Sequence, residues 1–512
     1  MKIVNELSMS ALCTSKGDWL PFLALRMIGM TLEYGIRKES ACAFVTYGAL
    51  LCGPLGDMEE GMRFGKLALR MLSKFEARDL ESRVHFWVYS SINHWRRPLT
   101  ECHDPLLQSY RTGMQFGDIH YALQSATLYC VMYLYSGLPL EPIESDMVSY
   151  CAEMKNYQQK TALVFCRTTH QFVHCLMGKT KDPIILSGEV MDHTQALNEA
   201  IKCDYKLAIA HIRLMRLILA YYFGDLKLAE ELSRHQRRAS VYQSLYETII
   251  NEFFIGLIAC ALARKLKKRK YHIQARKAIA KLKKWSKSTG NCQHILTLLQ
   301  AELFSISPKK QSEEVKRYYD LAIAMAGRIG FLHDKALATE KAGLFFFRQG
   351  DDDWASHYLT ISHRLYGEWG AKAKCISMEK QFSSLLTPPD ALPSTINHRG
   401  RRRFSGRSSS THRRISVSSY RRDSISSYSS STARRISTST FSSLRSSGTG
   451  KSQPLSSAGS SAGWGRRLSE GNEEDVSDSE ELQRSVPPSL ILKTHQEPLG
   501  PLPSHFWVGV SP

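Results

Sequence analysis

The residues with the plainest chemical meaning are serines that follow paired arginines. Arg-Arg-x-Ser occurs five times, ending at Ser405, Ser416, Ser424, Ser437 and Ser469. Two fixed positive charges at that spacing suit the acidic groove of a basophilic kinase such as the cyclic-AMP-dependent one. The groove holds the guanidiniums while the serine hydroxyl reaches the transferred phosphoryl group. Ser477, followed by Asp478, Ser479, Glu480 and Glu481, suits an acidophilic kinase instead. Between Arg399 and Arg467 fifteen basic residues stand against one acidic residue, a balance of +14. Five phosphates at about −1.5 to −2 each would remove roughly 8 to 10 of those charges.

A second charged feature lies upstream, in Arg264, Lys265, Lys267, Lys268, Arg269 and Lys270, with Lys281 and Lys284 farther on. It reads either as a solvated outer helix with its preceding turn or as a dock for an anionic partner: phosphoprotein, acidic lipid or RNA. Only Tyr271 and Trp285 stand near it, and Trp285 falls on an apolar stripe, so a base-stacking surface is not supported. A protein partner is therefore favoured, and nucleic acid or an acidic membrane is the alternative.

Enzymatic chemistry has little to build on. Gly448-Thr449-Gly450-Lys451-Ser452 looks like the end of a phosphate loop, but Arg445 stands where that loop needs glycine. Gly61 to Lys66 is one residue short and is followed by Leu67 instead of Ser or Thr. Nucleophile elbow, kinase catalytic loop and His-Glu-x-x-His are all missing. His170, His174 and His211 sit in apolar helical context and read as core histidines. The twelve cysteines are scattered from Cys13 to Cys375 without a C-x-x-C pair. They read as small buried residues of a reducing compartment. No catalytic residue, cofactor or metal ligand is assigned.

These groups need elements to carry them. Up to about residue 386 apolar residues recur at helical spacing in segments of roughly fifteen to twenty. From Thr387-Pro388-Pro389 onward Ser, Arg, Gly and Thr dominate, and too little apolar surface remains to offset ordering entropy. Residues 387–512 are thus expected to be a disordered tail with an acidic patch near 470–481. In the first part Gly-Asp followed four residues later by a small residue recurs at Gly56, Gly117, Gly224 and Gly350. Glycine ends one helix in the left-handed conformation, aspartate caps the next, and the small residue lets the two approach. Glu60 after Asp57 also has capping-box spacing. The reading is an all-α, degenerate tetratricopeptide-like array of helical hairpins. Other turns, at Gly137-Leu138-Pro139 and Ser288 to Asn291, fill the uneven intervals.

Several segments resemble the helical-repeat region of very large multidomain signalling proteins. The resemblance runs from Ala24-Leu25-Arg26-Met27 and Leu32-Glu33-Tyr34-Gly35 through Tyr319 to Ala324. It closes on Tyr366-Gly367-Glu368-Trp369-Gly370-Ala371-Lys372-Ala373-Lys374, its most specific element. In that family a serine/threonine kinase domain and a predicted AAA-type ATPase precede the repeats, and a GAF domain with a histidine kinase or cyclase follows. The resemblance covers about 1–386. It implies the repeat architecture and a signalling context, brings no catalytic centre, and leaves open that the chain is a piece of a larger protein.

The bulk numbers permit a large globular body. The chain has 512 residues, 43% of them hydrophobic, and a formal charge of +20. Glu6, Asp18 and Arg26 interrupt any secretory signal, and the most apolar run, Phe253 to Ala263, is about half the length of a membrane span. The expected function is a non-catalytic, cytoplasmic scaffold for protein partners with a kinase-regulated tail. The basic run at 399–403 makes nuclear residence the alternative.

Overall fold

The computed structural model describes residues 1–13, 19–237, 244–307 and 311–386. Among these residues all regular structure is helical. In order, the helices are α1 (Lys2–Cys13), α2 (Leu20–Tyr34), α3 (Ser40–Leu50), α4 (Met58–Lys74), α5 (Glu81–Ser91), α6 (His103–Phe116) and α7 (Ile119–Tyr135). There follow α8 (Leu140–Asn156), α9 (Lys160–Met177), α10 (His193–Lys202), α11 (Lys206–Tyr222), α12 (Leu226–Gln236) and α13 (Glu247–Leu266). The last are α14 (Arg269–Trp285), α15 (Gln293–Phe304), α16 (Ser312–Ile329), α17 (Leu332–Gln349), α18 (Asp352–Trp369) and α19 (Lys372–Phe382).

The four Gly-Asp hinges form as their chemistry requires. Gly56, Gly117, Gly224 and Gly350 all take φ between 70° and 85°, where a side chain would be strained. Asp57, Asp225 and Asp351 accept the backbone N–H three residues on, at 3.0–3.1 Å. Asp118 departs from the pattern: its carboxylate receives Arg83 Nε at 2.6 Å instead of capping α7. The capping box expected at Asp57 is also only half made, because Glu60 turns to Arg63 at 2.6 Å. At the small positions Gly61, Ala122, Ala229 and Ala355 are buried. A Cβ on Gly61 would stand 2.8 Å from the carbonyl oxygen of Gly48, so the α3–α4 crossing depends on that glycine.

The uneven hinge intervals have a backbone explanation. Glu76, Gln158, Asp204 and Lys267 also have positive φ, as do Gly137, Gly178, Gly330 and Gly370. Together the left-handed positions recur at about twenty-residue steps over long stretches, as in 117, 137, 158, 178 and again 330, 350, 370. A helix pair therefore takes close to forty residues, more than the roughly 34 of a tetratricopeptide unit.

Odd and even helices have different surroundings. The odd ones from α3 to α17 form an inner row, each touching the next odd helix. Every residue of α3 is buried, and α7, α11 and α13 are nearly as enclosed, so these sequences are apolar around most of the helix. Even helices such as α4, α12, α14 and α16 bury one stripe only. The row also curls back on itself, with α19 packed against α9. Lys374 of α19 donates to the carbonyl of Tyr222 (2.6 Å) and to Glu340 of α17 (2.9 Å). Asn291 donates to the carbonyls of His94 and Arg97, both at 2.8 Å. Contacts of this range exceed the neighbour-only scheme of an open repeat stack. No described helix is long and apolar enough to cross a membrane.

Candidate functional site

The basic segment divides between two helices. Lys267 takes φ 54° and ends α13, Lys268 is extended, and Arg269 opens α14. Arg264 points inward, 3.0 Å from Glu302 and 2.8 Å from Ser305, and serves the core instead of an outer partner. Lys281 reaches Glu252 at 2.9 Å, and Lys270 lies 3.9 Å from Glu230 and over the ring of Tyr271. Lys265, Lys267, Lys268, Arg269 and Lys284 are exposed without an ion pair among the described residues. Trp285 is half-buried, 6.0 Å from Trp95 between ring centres, as its place on the apolar stripe implied.

A cleft of about 630 Å³ lies across α16, α17 and α18. Its floor is set by an i,i+4 pair on α16, Lys316 Nζ to Asp320 at 2.7 Å. Tyr358 of α18 donates its hydroxyl to the other Asp320 oxygen at 2.5 Å. Lys316 also lies over the ring of Trp354, 4.4 Å from its centre. Burial and then the nearby Lys316 charge push the His357 imidazole below its ordinary value, so it stays neutral near pH 7. Arg328 and Lys335 border the same space. Three cations thus meet one carboxylate that already has two partners, beside an aromatic wall. That arrangement attracts anionic groups and gives apolar side chains a surface to cover. Sequence reasoning did not nominate it. Its traces were the Lys316–Asp320 spacing on α16 and the Trp354–Tyr358 spacing on α18, each ordinary when taken alone.

Three polar clusters lie inside the row besides the Glu340–Lys374–Tyr366 group. Glu302 accepts from Tyr319 (2.6 Å) and Arg264; burial alone would raise its carboxyl, but Arg264, then Arg348 and Lys341, hold it at about 2. His294 Nε2 meets Asp334 at 2.7 Å. The third joins Glu144 of α8 to His170 and His174 of α9: His174 Nε2 lies 2.9 Å and His170 Nε2 3.5 Å from Glu144 Oε1. Lys179 Nζ reaches the same oxygen at 3.0 Å. Burial opposes ionisation of Glu144, yet the bonds from His174 and Lys179 and the Lys179 charge bring its carboxyl down to about 2. His211 behaves as the core histidine expected: it meets the Thr169 hydroxyl at 3.0 Å, and burial lowers it to about 3. For His170 and His174 the overlooked signal was their four-residue spacing on one helix.

The six tail serines, Ser405, Ser416, Ser424, Ser437, Ser469 and Ser477, lie outside the described residues, as does the acidic patch near 470–481. No protein-family model matches the chain. It is similar to hybrid signal transduction histidine kinase G of Dictyostelium discoideum, 23% identical over 177 residues. The match takes in 34% of this chain and 5% of that protein, so the chain spans only a small share of this curated relative.

Proposed function

We propose that the helical body is a non-catalytic interaction module of a signalling protein and that the α16–α18 cleft receives an acidic segment of a protein partner. The cleft carries this reading. Lys316, Arg328 and Lys335 outnumber Asp320, and Trp354 and Tyr358 supply apolar surface beside them. The similarity to a fragment of a signalling histidine kinase supports the context. The Arg/Ser tail adds regulation: phosphorylation at Ser405, Ser416, Ser424, Ser437 and Ser469 by a basophilic kinase lowers its positive charge and changes where, or to what, the protein binds.

The test is capture of partners from a cell extract by the full chain, followed by titration of a synthetic Asp/Glu-rich peptide taken from any captured partner. Replacing the five serines by Ala is expected to alter capture. Arg328→Glu is expected to weaken the peptide by about tenfold, on the order of one interfacial charge pair. Absence of tail phosphate in cells, with capture unaffected by the Ala changes, removes the regulatory part. Peptide affinity unaffected by Arg328→Glu removes the cleft.

A second reading rests on the exposed Lys265, Lys267, Lys268, Arg269 and Lys284, which with the tail could hold nucleic acid or an acidic membrane. It requires RNA or liposome binding that weakens steeply with salt and disappears on truncation at residue 386.

A further inference from the structure

We propose that Glu144, His170 and His174 form a binding site for a divalent transition-metal ion, with Zn²⁺ the cation their donors suit, that clamps α8 to α9. Imidazole nitrogen and carboxylate oxygen are ordinary zinc donors, and two histidines four apart on one helix reach the same point in space. Their ligand atoms lie within 4.8 Å of one another. Tetrahedral ligands at about 2.0–2.1 Å from zinc stand roughly 3.3 Å apart. The separations of 2.9 and 3.5 Å from Glu144 Oε1 bracket that value. The two rings meet nearly edge to face, at 78° and 4.5 Å between centres.

An independent observation points to a ligand. His170 is 5% exposed, and its Nε2 has no hydrogen-bond partner among the described residues although it faces Glu144. A buried nitrogen left without a bond costs free energy that a cation at this place would recover. Lys179 occupies one Glu144 oxygen with its ammonium, and its half-exposed side chain can swing to solvent as the metal enters. The ammonium is thus a competitor for the carboxylate, and a fourth metal position remains for water. Cys151 neighbours His170 but is not among the residues whose donor atoms converge.

The full chain, stripped with chelator, is titrated with ZnCl2 by calorimetry and with Co²⁺ by visible absorption. One equivalent of Zn²⁺ is expected, together with a Co²⁺ spectrum of nitrogen and oxygen ligation. His174→Gln and Glu144→Gln are each expected to weaken Zn²⁺ by roughly 100-fold or more, beyond the ~10–100-fold of outer-shell changes. Lys179→Met, which removes the competitor, is expected to tighten it several-fold. Absence of binding to the wild-type chain overturns the proposal, as does equal affinity in folded His174→Gln and Glu144→Gln. A thiolate charge-transfer band with Co²⁺ on the wild-type chain would place the metal on cysteines and overturn it without any variant.

Discussion

The core and the cleft contain nearly the same constellation. In the core, Glu302 accepts a tyrosine hydroxyl from Tyr319 and a cation from Arg264. In the cleft, Asp320 accepts a tyrosine hydroxyl from Tyr358 and a cation from Lys316. Exposure separates them, 2% for the Glu302 side chain and 43% for that of Asp320. A buried carboxylate and its guanidinium depend on each other, because removing either leaves an uncompensated charge in a medium of low dielectric. An exposed pair is screened by water and contributes little to stability. It fixes instead where Lys316 and Tyr358 stand, so the residual positive charge of Arg328 and Lys335 is offered to a partner. One set of interactions therefore serves folding in one place and recognition in the other.

The comparison is broken most forcefully at Glu302. Glu302→Gln should destabilise the body by about 3–5 kcal/mol, read as a lowered denaturant midpoint, because the partly buried Arg264 is left without its counter-charge. The same network sets an acid limit. The Glu302 carboxyl sits at about 2, below its ordinary 4.5, so its contribution is complete above about pH 4.5 and is lost as pH falls toward 2. Unfolding midpoints measured between pH 5 and 2 should fall for the wild-type chain and be flatter for Glu302→Gln.

Glu247 has the opposite sign. Fully buried at the start of α13, its carboxyl is pushed up to about 7 by burial. Its folded-state advantage is complete below about pH 4.5 and is lost as pH rises through 7. Glu247→Gln should leave stability near pH 4 unchanged and raise it at pH 8 by roughly 1–3 kcal/mol, at about 1.4 kcal/mol per pH unit of displacement. An equal effect at both pH values would contradict the assignment.

The smallest effect is expected at Asp320. Asp320→Asn should change stability by less than about 1 kcal/mol, as for other exposed pairs. It should nevertheless tighten an acidic peptide, since one repelling carboxylate is gone. A loss of stability comparable to that of Glu302→Gln would erase the distinction between core and cleft.

Much of the fold was legible because it rests on local rules. Gly56, Gly117, Gly224 and Gly350 need left-handed backbone, and glycine records that need in sequence. Glu76, Gln158 and Asp204 adopt the same conformation without glycine, so the near-forty-residue hairpin period could not be read, and the uneven intervals looked like degeneracy. Helix exposure was equally legible: α13 is apolar all round and α14 has one stripe. Contacts distant in sequence left no such trace. Nothing near Arg264 announces Glu302, thirty-eight residues on, so Arg264 was grouped with its exposed neighbours. Glu144 and His170 are likewise joined only by the packing of α8 on α9, and the cleft only by three helices meeting.

The most direct measurement is the affinity of an acidic peptide, by fluorescence anisotropy, for three forms of the full chain: wild type, Arg328→Glu in the cleft and Lys267→Glu at the α13–α14 junction. Both substitutions remove the same net charge from exposed positions. The account predicts a loss of about tenfold for Arg328→Glu, on the order of one interfacial charge pair, and little change for Lys267→Glu. Equal losses from both would mean that the peptide responds only to the overall positive field, and the cleft would have no claim to be the site.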